Sequence, residues 1–390
     1  MLHVLYLVHD VSDPAVRRRI IMLKAGGAQV TLAGFRRTAS PIADVEGLRP
    51  IDLGATRDGR FAQRLAAVTK SAISISSKLG SMPRPDIIMA RNLEMLALAR
   101  RARSAFQATV PIVYECLDIH RLVLRDDLLG KAMRGAERYL ARDIKLLVTS
   151  SPAFIANYFK RFGQIAAPVE LLENKYFEAA AVSLDDRIAA EDPIAPPWRI
   201  GWFGALRCRR SLELLAEFSR RLDGRFEIVL RGRPALSEFP DFHAFVESEP
   251  WLSFGGPYRN PEDMAMIYRE VHFSWAIDFF EQGLNSEWLL PNRLYEGCRF
   301  GAVPISMGRT ETGRFLDRQG IGVLLPQATP EALEAALGDM EEHRFGNLRA
   351  RVLARNPRTW SHDRSDCRAL VEKLRGLTAA PDAYAAEALA

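Results

Sequence analysis

The chain of 390 residues is 48% apolar and contains four cysteines. This length exceeds what a single hydrophobic core normally supports, so two domains are expected. The cysteines are far apart, without a CxxC pair or a histidine at ligand spacing, which argues against a zinc motif and a disulfide framework and favours a reducing cytosol. No apolar run approaches the length of a membrane span, and the apolar start is too short for a signal sequence.

The formal net charge of +5 is unevenly distributed along the chain. Residues 1–178 contain 27 Lys and Arg against 17 Asp and Glu, whereas the remainder contains 26 against 31. This contrast predicts an anionic partner for the first half, which could be nucleic acid, an anionic membrane surface or a phosphorylated substrate; a solvated basic face is the alternative. Nucleic acid is not favoured, because the basic residues lack interleaved aromatic residues and a reader motif. Residues 60–78 place cations beside apolar side chains at helical spacing and favour an anionic membrane surface; a helix packed on a sheet gives the same pattern.

In the first half, apolar runs alternate with amphipathic segments of helix length, which predicts parallel βαβ units. The predicted strands are residues 2–8, 29–35, 86–90, 112–115, 145–149 and 169–172. The predicted helices are residues 15–25, 61–79, 93–106, 124–141 and 152–162. Residues 1–178 are therefore expected to form a Rossmann-like domain.

A linker is predicted at residues 179–197, which include three prolines and few apolar runs. The alternation then restarts, with predicted strands at residues 199–203, 226–231, 251–254, 271–275, 303–306 and 322–325. Predicted helices lie at residues 210–222, 237–246, 261–269, near 293, and at 330–341. A second Rossmann-like domain at 198–357 follows, then a helix within 358–376 with Ser361 as its N-cap, and a frayed tail at 377–390.

The segment from Leu289 to Ile305 combines a turn at Pro291, a helix bearing Glu296, and a short apolar strand. A helix start and a cation can bind phosphates, and a carboxylate can bind a ribose diol. The segment resembles the donor-domain signature of family 4-like GT-B glycosyltransferases of bacterial exopolysaccharide assembly, of the succinoglycan type. The resemblance implies an α/β GT-B fold, with two Rossmann-like, doubly wound domains facing across a cleft and a C-terminal helix crossing back to the first domain.

Donor-binding residues are expected in the loops of the second domain. Residues 204–210 place a glycine and three arginines where a helix opens, which favours a diphosphate site over the alternative of a solvated basic turn. Family members carry two glutamates separated by seven residues, but Trp288 occupies the earlier position here, so the retaining pair is incomplete and the sugar contacts fall to Asn285, Ser286 or Glu287. The donor contacts implied by the resemblance are Gly204, Arg207, Arg210, Gly232, Tyr258, Asn285, Ser286, Asn292, Arg293 and Glu296.

Asp118 follows the predicted strand 112–115, where a loop carboxylate could act as a general base. Residues 113–118 resemble the strand end that carries the base of inverting bacterial glucuronosyltransferases. His120 and Glu115 are alternatives, and an ordinary turn role for Asp118 stays open.

The loop after the first predicted strand, residues 9–19, resembles the corresponding loop of the family 4-like GT-B glycosyltransferases. Its Asp13 and Pro14 are expected to cap the first helix. The acceptor-binding residues expected here are His9, Asp10 and Arg17, together with His120.

The resemblance implies an enzyme that transfers a hexose, expected to be glucose from UDP-glucose, to a lipid-linked saccharide at the inner face of the plasma membrane. Inversion and metal independence are expected, with the nucleotide sugar as substrate and no separate cofactor. A nucleotide-sugar epimerase and a non-enzymatic membrane- or glycan-binding protein are the alternatives. A dinucleotide-dependent oxidoreductase is not favoured, because no GxGxxG motif follows a predicted strand.

Overall fold

The computed structural model describes residues 1–56, 61–80, 82–106, 109–178 and 195–378. Most of the predicted linker, residues 179–194, and the tail from residue 379 lie outside these ranges. The chain divides into two compact units, of which unit 1 contains Met1–Leu172 and Asp363–Ala390, and unit 2 contains Glu173–His362. The predicted boundary at residue 178 falls inside unit 2, because Tyr176–Phe177 pairs with Ser361–His362.

Unit 1 is built on a seven-stranded parallel sheet of order β3-β2-β1-β4-β5-β6-β7. Its strands are β1 His3–Val8, β2 Gln29–Arg36, β3 Ile51–Ala55, β4 Ile87–Arg91, β5 Ile112–Cys116, β6 Ile144–Thr149 and β7 Val169–Leu171. All residues of β1, β4 and β5 are buried. Helices on both faces require such burial of the central strands, which explains their continuous apolar runs.

The helices of unit 1 form the outer layers. They are α1 Pro14–Ala25, α2 Phe61–Leu79, α3 Leu93–Ala105, α4 Leu128–Ala141 and α5 Pro152–Phe154, which a π-helical segment Ile155–Lys160 continues. Helices α2, α3 and α4 pack side by side. This neighbourhood follows from right-handed crossovers that move in one direction along the sheet.

Unit 2 contains a six-stranded parallel sheet of order β11-β10-β9-β12-β13-β14 and the short pair β8–β15. Its strands are β8 Tyr176–Phe177, β9 Trp198–Leu206, β10 Phe226–Pro234, β11 Leu252–Phe254, β12 Phe273–Trp275, β13 Val303–Met307, β14 Val323–Leu325 and β15 Ser361–His362. Its helices are α6 Arg209–Arg221, α7 Phe242–Ser248, α8 Met264–Arg269, α9 Asn292–Arg299, α10 Glu311–Gln319, α11 Pro330–Leu337 and α12 Glu342–Leu353.

The last helix, α13 Arg364–Gly376, packs on α1 in unit 1. Close contact is possible because residue 26 is glycine: a Cβ there would lie 2.2 Å from the carbonyl oxygen of Cys367. The predicted N-cap at Ser361 is wrong, because Asp363 accepts the backbone N–H bonds of Ser365 and Asp366 in a capping box, while Ser361 belongs to β15.

Several elements depart from the sequence prediction. Strand β3 and helices α10 and α12 were not predicted, and α4 begins at Leu128 rather than residue 124, because Arg121–Leu124 forms a separate 3-10 turn. Within the described residues, no helix combines the length and apolarity needed to cross a membrane.

In each sheet the direction in which successive strands are added reverses once. This reversal of the strand order lies between β1 and β4 in unit 1, and between β9 and β12 in unit 2. Loops leaving such neighbouring strands diverge and open a crevice at their carboxyl ends, which is where ligands bind in open α/β sheets. Ligand-binding residues are therefore expected in the loops after β1, β4, β9 and β12.

Candidate functional site

Two facing glycines shape the crevice of unit 2. Gly204 on β9 and Gly232 on β10 are register partners, and both have left-handed φ angles, +109° and +131°. A Cβ on Gly232 would lie 1.9 Å from the carbonyl oxygen of Gly204. Only glycine fits this approach, which lets β9 and β10 continue side by side to residues 206 and 234.

Two arginines lie beside Asp278, which follows β12. The Arg207 Nη2 is 3.6 Å and the Arg293 Nη2 is 3.7 Å from Asp278 Oδ2. Burial would raise the pKa of the Asp278 carboxyl, but Arg293 and Arg207 outweigh it and hold that pKa below its usual value. The crevice therefore carries two cations against one ionised carboxylate.

Arg293 is incompletely satisfied by the protein. It donates to the carbonyl oxygen of Ile277 at 2.8 Å, while its buried Nε has no partner in the part of the chain that the structure describes. Buried donors are rarely left without an acceptor, so this Nε is an unsatisfied donor beside the crevice.

Arg210 joins the start of α6 to the loop after β12. Its Nη1 donates to Gln282 Oε1 at 2.6 Å, and its guanidinium lies 4.4 Å from the centre of the Phe279 ring. Arg207 stacks at the same distance on Phe280. Both predicted phosphate-binding arginines thus pack against one loop, residues 278–284.

Ser286 and Asn285, the predicted sugar contacts, belong to the continuation of this loop and are buried. The Ser286 hydroxyl donates to Asp278 Oδ1 at 2.6 Å and accepts from the backbone N–H of Glu281. Asp278 Oδ1 also accepts from the backbone N–H of Phe280. One carboxylate therefore both faces the arginines and fixes the loop.

Helix α9 lies against β12 because Gly297 lacks a side chain: a Cβ there would be 2.8 Å from Ser274 Cβ. The Ser274 hydroxyl donates to the backbone oxygen of Arg293, which further fixes the helix. Asn292 opens α9 and is half-buried, so the predicted residues Asn292, Arg293 and Glu296 share one short helix beside the crevice.

Glu296 is 4% exposed and is held by neutral donors. Its Oε1 accepts from Asn260 Nδ2 at 3.0 Å, and its Oε2 accepts from the Tyr268 hydroxyl at 3.3 Å. Tyr258 packs at the edge of the apolar cluster that contains Tyr268 and Phe300, and it lies next to Gly204. Burial and the charge of Glu296 raise the pKa of the Tyr258 phenol, which therefore stays protonated.

The crevice of unit 1 holds His9, which follows β1. Asn92 Nδ2 lies 3.3 Å from His9 Nδ1, and His9 Nε2 lies 3.8 Å from Asp13 Oδ2. Asn92 has φ +70°, a strained conformation that tends to mark functional positions. Burial lowers the pKa of His9 despite the opposing charge of Asp13, so the imidazole is neutral at neutral pH.

Glu115 is excluded as the alternative base by its position. It is 0% exposed on β5, accepts from the Tyr6 hydroxyl, and pairs with Arg19 at 2.6 Å and Arg91 at 3.2 Å. Burial disfavours its ionised form, but the two arginines keep its pKa below the usual value. This carboxylate is a structural counter-ion.

The other predicted residues of unit 1 are more dispersed. Asp118 and His120 are exposed in the loop after β5, where His120 Nδ1 accepts from the backbone N–H of Leu122. Asp10 is buried and paired with Arg37 at 3.0 Å. Arg17 pairs with Glu46. Asp10 and Arg17 are therefore engaged within the protein.

Sequence reasoning did not select Asp278, Asn260 or Tyr268, which organise the crevice of unit 2. Asp278 had an available signal, because it lies three residues after a buried strand that the sequence predicted. Asn260 and Tyr268 had none, because their contact with Glu296 depends on packing between distant segments. In the described residues, no three His, Cys, Asp or Glu side chains are grouped as a metal site would require.

Solved structures share this architecture over the whole chain. Sucrose-phosphate synthase from Thermosynechococcus elongatus matches with a TM-score of 0.68 and 15% identity, over 96% of this chain and 98% of that protein. Anabaena Alr3699/HepE, solved in complex with UDP and glucose, matches with a TM-score of 0.67 and 13% identity, over 96% and 100%. MurG from Acinetobacter baumannii gives 0.55 and 13%, over 96% and 100%. The class that the fold defines is that of the GT-B glycosyltransferases, as predicted.

Sequence similarity shows to which family within this class the chain belongs. The chain is 58% identical over 381 residues to the succinoglycan biosynthesis protein ExoL of Rhizobium meliloti (strain 1021), covering 97% of this chain and 94% of the relative. It therefore belongs to the family of that succinoglycan biosynthesis protein, which confirms the predicted resemblance. No protein-family model matches the chain.

Proposed function

We propose that this protein transfers a hexose, specifically glucose, from a UDP-sugar to a lipid-linked saccharide during succinoglycan-type exopolysaccharide synthesis. The proposal rests on one observation. Arg207 and Arg293 lie beside Asp278 where the strand order of unit 2 reverses, and the buried carboxylate of Glu296 lies on the same helix as Arg293. Cations suit a diphosphate, and a buried carboxylate suits a ribose diol. The family relative acts in succinoglycan biosynthesis by its name, and HepE was solved with UDP-glucose.

The proposed role of the arginines is to stabilise the leaving group. When the bond between the anomeric carbon and the diphosphate breaks, negative charge develops on the departing oxygen. Arg207, Arg210 and Arg293 would offset it, together with the positive end of the α6 dipole, so the chemistry assigned to the site does not require a metal ion.

Unit 1 would supply the acceptor side of the reaction. Asp118 is the proposed general base, taking the proton from an acceptor hydroxyl whose oxygen attacks the anomeric carbon and inverts it. His9 and His120 would contact the acceptor. The lipid anchor of that acceptor implies a peripheral position at the cytoplasmic face of an anionic membrane.

Calorimetric titration with UDP, GDP and NAD tests the donor assignment. The full chain should bind UDP in preference to GDP and NAD, and Glu296→Gln should weaken UDP binding. A matched control is Glu249→Gln, another buried carboxylate, which pairs with Arg220 just before β11 and thus lies at the opposite edge of the sheet. Preference for NAD, or equal UDP affinity in the wild type and Glu296→Gln, would refute the assignment.

A turnover assay separates transfer from the alternatives. Radiolabelled UDP-glucose should yield labelled lipid only when a lipid extract from exopolysaccharide-producing bacteria is supplied. A nucleotide-sugar epimerase would convert the donor without any acceptor. A binding protein would give no product in either case, and both of these outcomes contradict glycosyl transfer.

A further inference from the structure

The helical layer α2–α4 on one face of unit 1 is strongly cationic. These three helices carry nine Lys and Arg but only two carboxylates, Glu94 and Glu137. Glu137 is buried, where it accepts from the Tyr114 and Tyr158 hydroxyls and from Gln164. Of these cations, Arg134 is buried and donates to backbone carbonyl oxygens, and Arg100 and Arg103 pair with Asp143 just after α4. On α4 itself, Lys131 and Arg138 are exposed, whereas its one carboxylate, Glu137, is buried, so the exposed side of this helix is positively charged.

Large apolar side chains project from the start of α4. Leu128 is 82% exposed and Leu129 is 45% exposed. They follow the loop after β5, so they lie at the carboxyl edge of the sheet, the edge that also holds Asp118 and His9. Exposed neighbouring leucines are costly in water unless another surface covers them.

The leucines are held outward by a fixed turn. Asp127 caps α4 by accepting from the backbone N–H of Gly130 at 3.0 Å. A Cβ on Gly130 would lie 2.1 Å from the carbonyl oxygen of Arg125, so the turn closes tightly onto the helix. The side chains of Leu128 and Leu129 thus start from a rigid platform.

Cations and an interfacial aromatic residue continue along the same helix. Lys131 and Arg138 are exposed, and Tyr139, which is 59% exposed, lies 4.7 Å from the guanidinium of Arg142 and 5.4 Å from that of Arg100. The exposed Asp126 and Asp127 precede the leucines, and Asp127 pairs with Arg125, while Arg100 and Arg142 pair with Asp143. Leucines at one end with cations and tyrosine alongside are typical of a helix lying on lipid headgroups.

From this charge complementarity we infer that the exposed side of α4 lies on an anionic phospholipid bilayer, with Leu128 and Leu129 entering the interface. The inference rests on the proposed function in one respect: a lipid-linked acceptor would reach the reaction edge of unit 1 from this bilayer. It assigns docking to α4 rather than to the segment 60–78 favoured by the sequence.

Sedimentation of the full chain with vesicles tests the inference. The protein should bind phosphatidylcholine vesicles containing phosphatidylglycerol, bind pure phosphatidylcholine much less, and be released by salt. The double variant Leu128→Ser/Leu129→Ser should lower the partition coefficient roughly tenfold or more, because the interface loses two apolar side chains. Lys131→Glu/Arg138→Glu should lower binding only to the anionic vesicles.

Two control variants show whether the loss of binding is specific to α4. Leu236→Ser removes a leucine that is 60% exposed in unit 2 and should leave vesicle binding unchanged. Ile73→Ser does the same on α2, where Ile73 is 78% exposed, and should have a smaller effect than the α4 variant. A larger loss in Ile73→Ser, or undiminished binding of the α4 double variant, would overturn the assignment.

UDP calorimetry on the same proteins separates this inference from the proposed function. The α4 variants should bind UDP like the wild type, and their melting temperatures should match it. Vesicle binding without UDP binding would leave the docking face standing while the donor assignment fails. Binding to RNA or DNA but not to anionic vesicles would refute the bilayer as the partner.

Discussion

Replacing Glu296 by glutamine provides the sharpest test of the donor site. The carboxylate is buried, and it is oriented by Asn260 and Tyr268 at 3.0 and 3.3 Å. Glutamine keeps the shape and one carbonyl acceptor but removes the charge. Hydrogen bonds to a charged group contribute about 1.5–3 kcal/mol. If Glu296 accepts from the ribose diol, loss of that charge should weaken UDP binding roughly 10- to 150-fold.

The ligand itself provides the matched comparison. An analogue, 2′,3′-dideoxy-UDP, lacks the two hydroxyls, so the wild type should bind it more weakly than UDP. Glu296→Gln should lose affinity for UDP but little or none for the analogue, because the missing interaction cannot be lost twice. Calorimetric titration of both proteins with both ligands gives the four affinities.

Stability must be measured beside affinity. Tyr268 and Asn260 would share a weaker acceptor in Glu296→Gln, at a cost of about 1–3 kcal/mol in the free energy of unfolding. Thermal unfolding would show that the variant remains folded at the titration temperature. Equal weakening for UDP and the analogue would refute the ribose contact, because the effect would then be one of general distortion.

Three further substitutions test individual residues. Asp278→Asn should lower the free energy of unfolding by about 1–3 kcal/mol at neutral pH, and this difference from the wild type should shrink below about pH 4. A carboxylate whose pKa is lowered in the folded state stabilises the protein above its unfolded pKa and loses this effect as it is protonated. A difference that does not depend on pH in acid unfolding curves would contradict this. Gly232→Ala should destabilise by at least about 3 kcal/mol, since its Cβ would meet the Gly204 carbonyl oxygen, whereas Gly135→Ala, with no atom within 4 Å, should be neutral or stabilising in the same melts. Asp118→Asn should lower turnover by roughly 10²- to 10⁴-fold with UDP affinity unchanged, as initial rates and calorimetry would show, and unchanged turnover would remove Asp118 from the reaction.

The sequence was most informative where local patterns determine structure. Buried strands such as β1 and β5 are continuous apolar runs, and Asp13 with Pro14 is a complete helix start that the structure confirms. Strand β3 escaped because it is short and contains Gly54. Helix α10 had a recognisable cap in Thr310 but few apolar residues in its nine positions.

Contacts between distant segments could not be predicted in the same way. The extension of β10 through Gly232 depends on Gly204, its register partner on another strand. The meeting of Arg207, Asp278 and Arg293 depends on β9 and β12 being neighbours, which only the strand order establishes. The sequence therefore indicated the residue types in the proposed donor segment, whereas the contact of Asp278 with Arg207 and Arg293 could not be predicted from it.

The two units place different chemistry at the same topological position. In unit 2 the crevice beside β9 and β12 holds two arginines against Asp278, an arrangement that a dianionic diphosphate can complete. In unit 1 the crevice beside β1 and β4 holds the neutral imidazole of His9, while Arg91 is paired with Glu115 and lies 3.5 Å from Asp13. Local charge there is nearly balanced, which suits a neutral hydroxyl rather than a phosphate. The chemical contrast between similar sheets thus supports the assignment of donor to unit 2 and acceptor to unit 1.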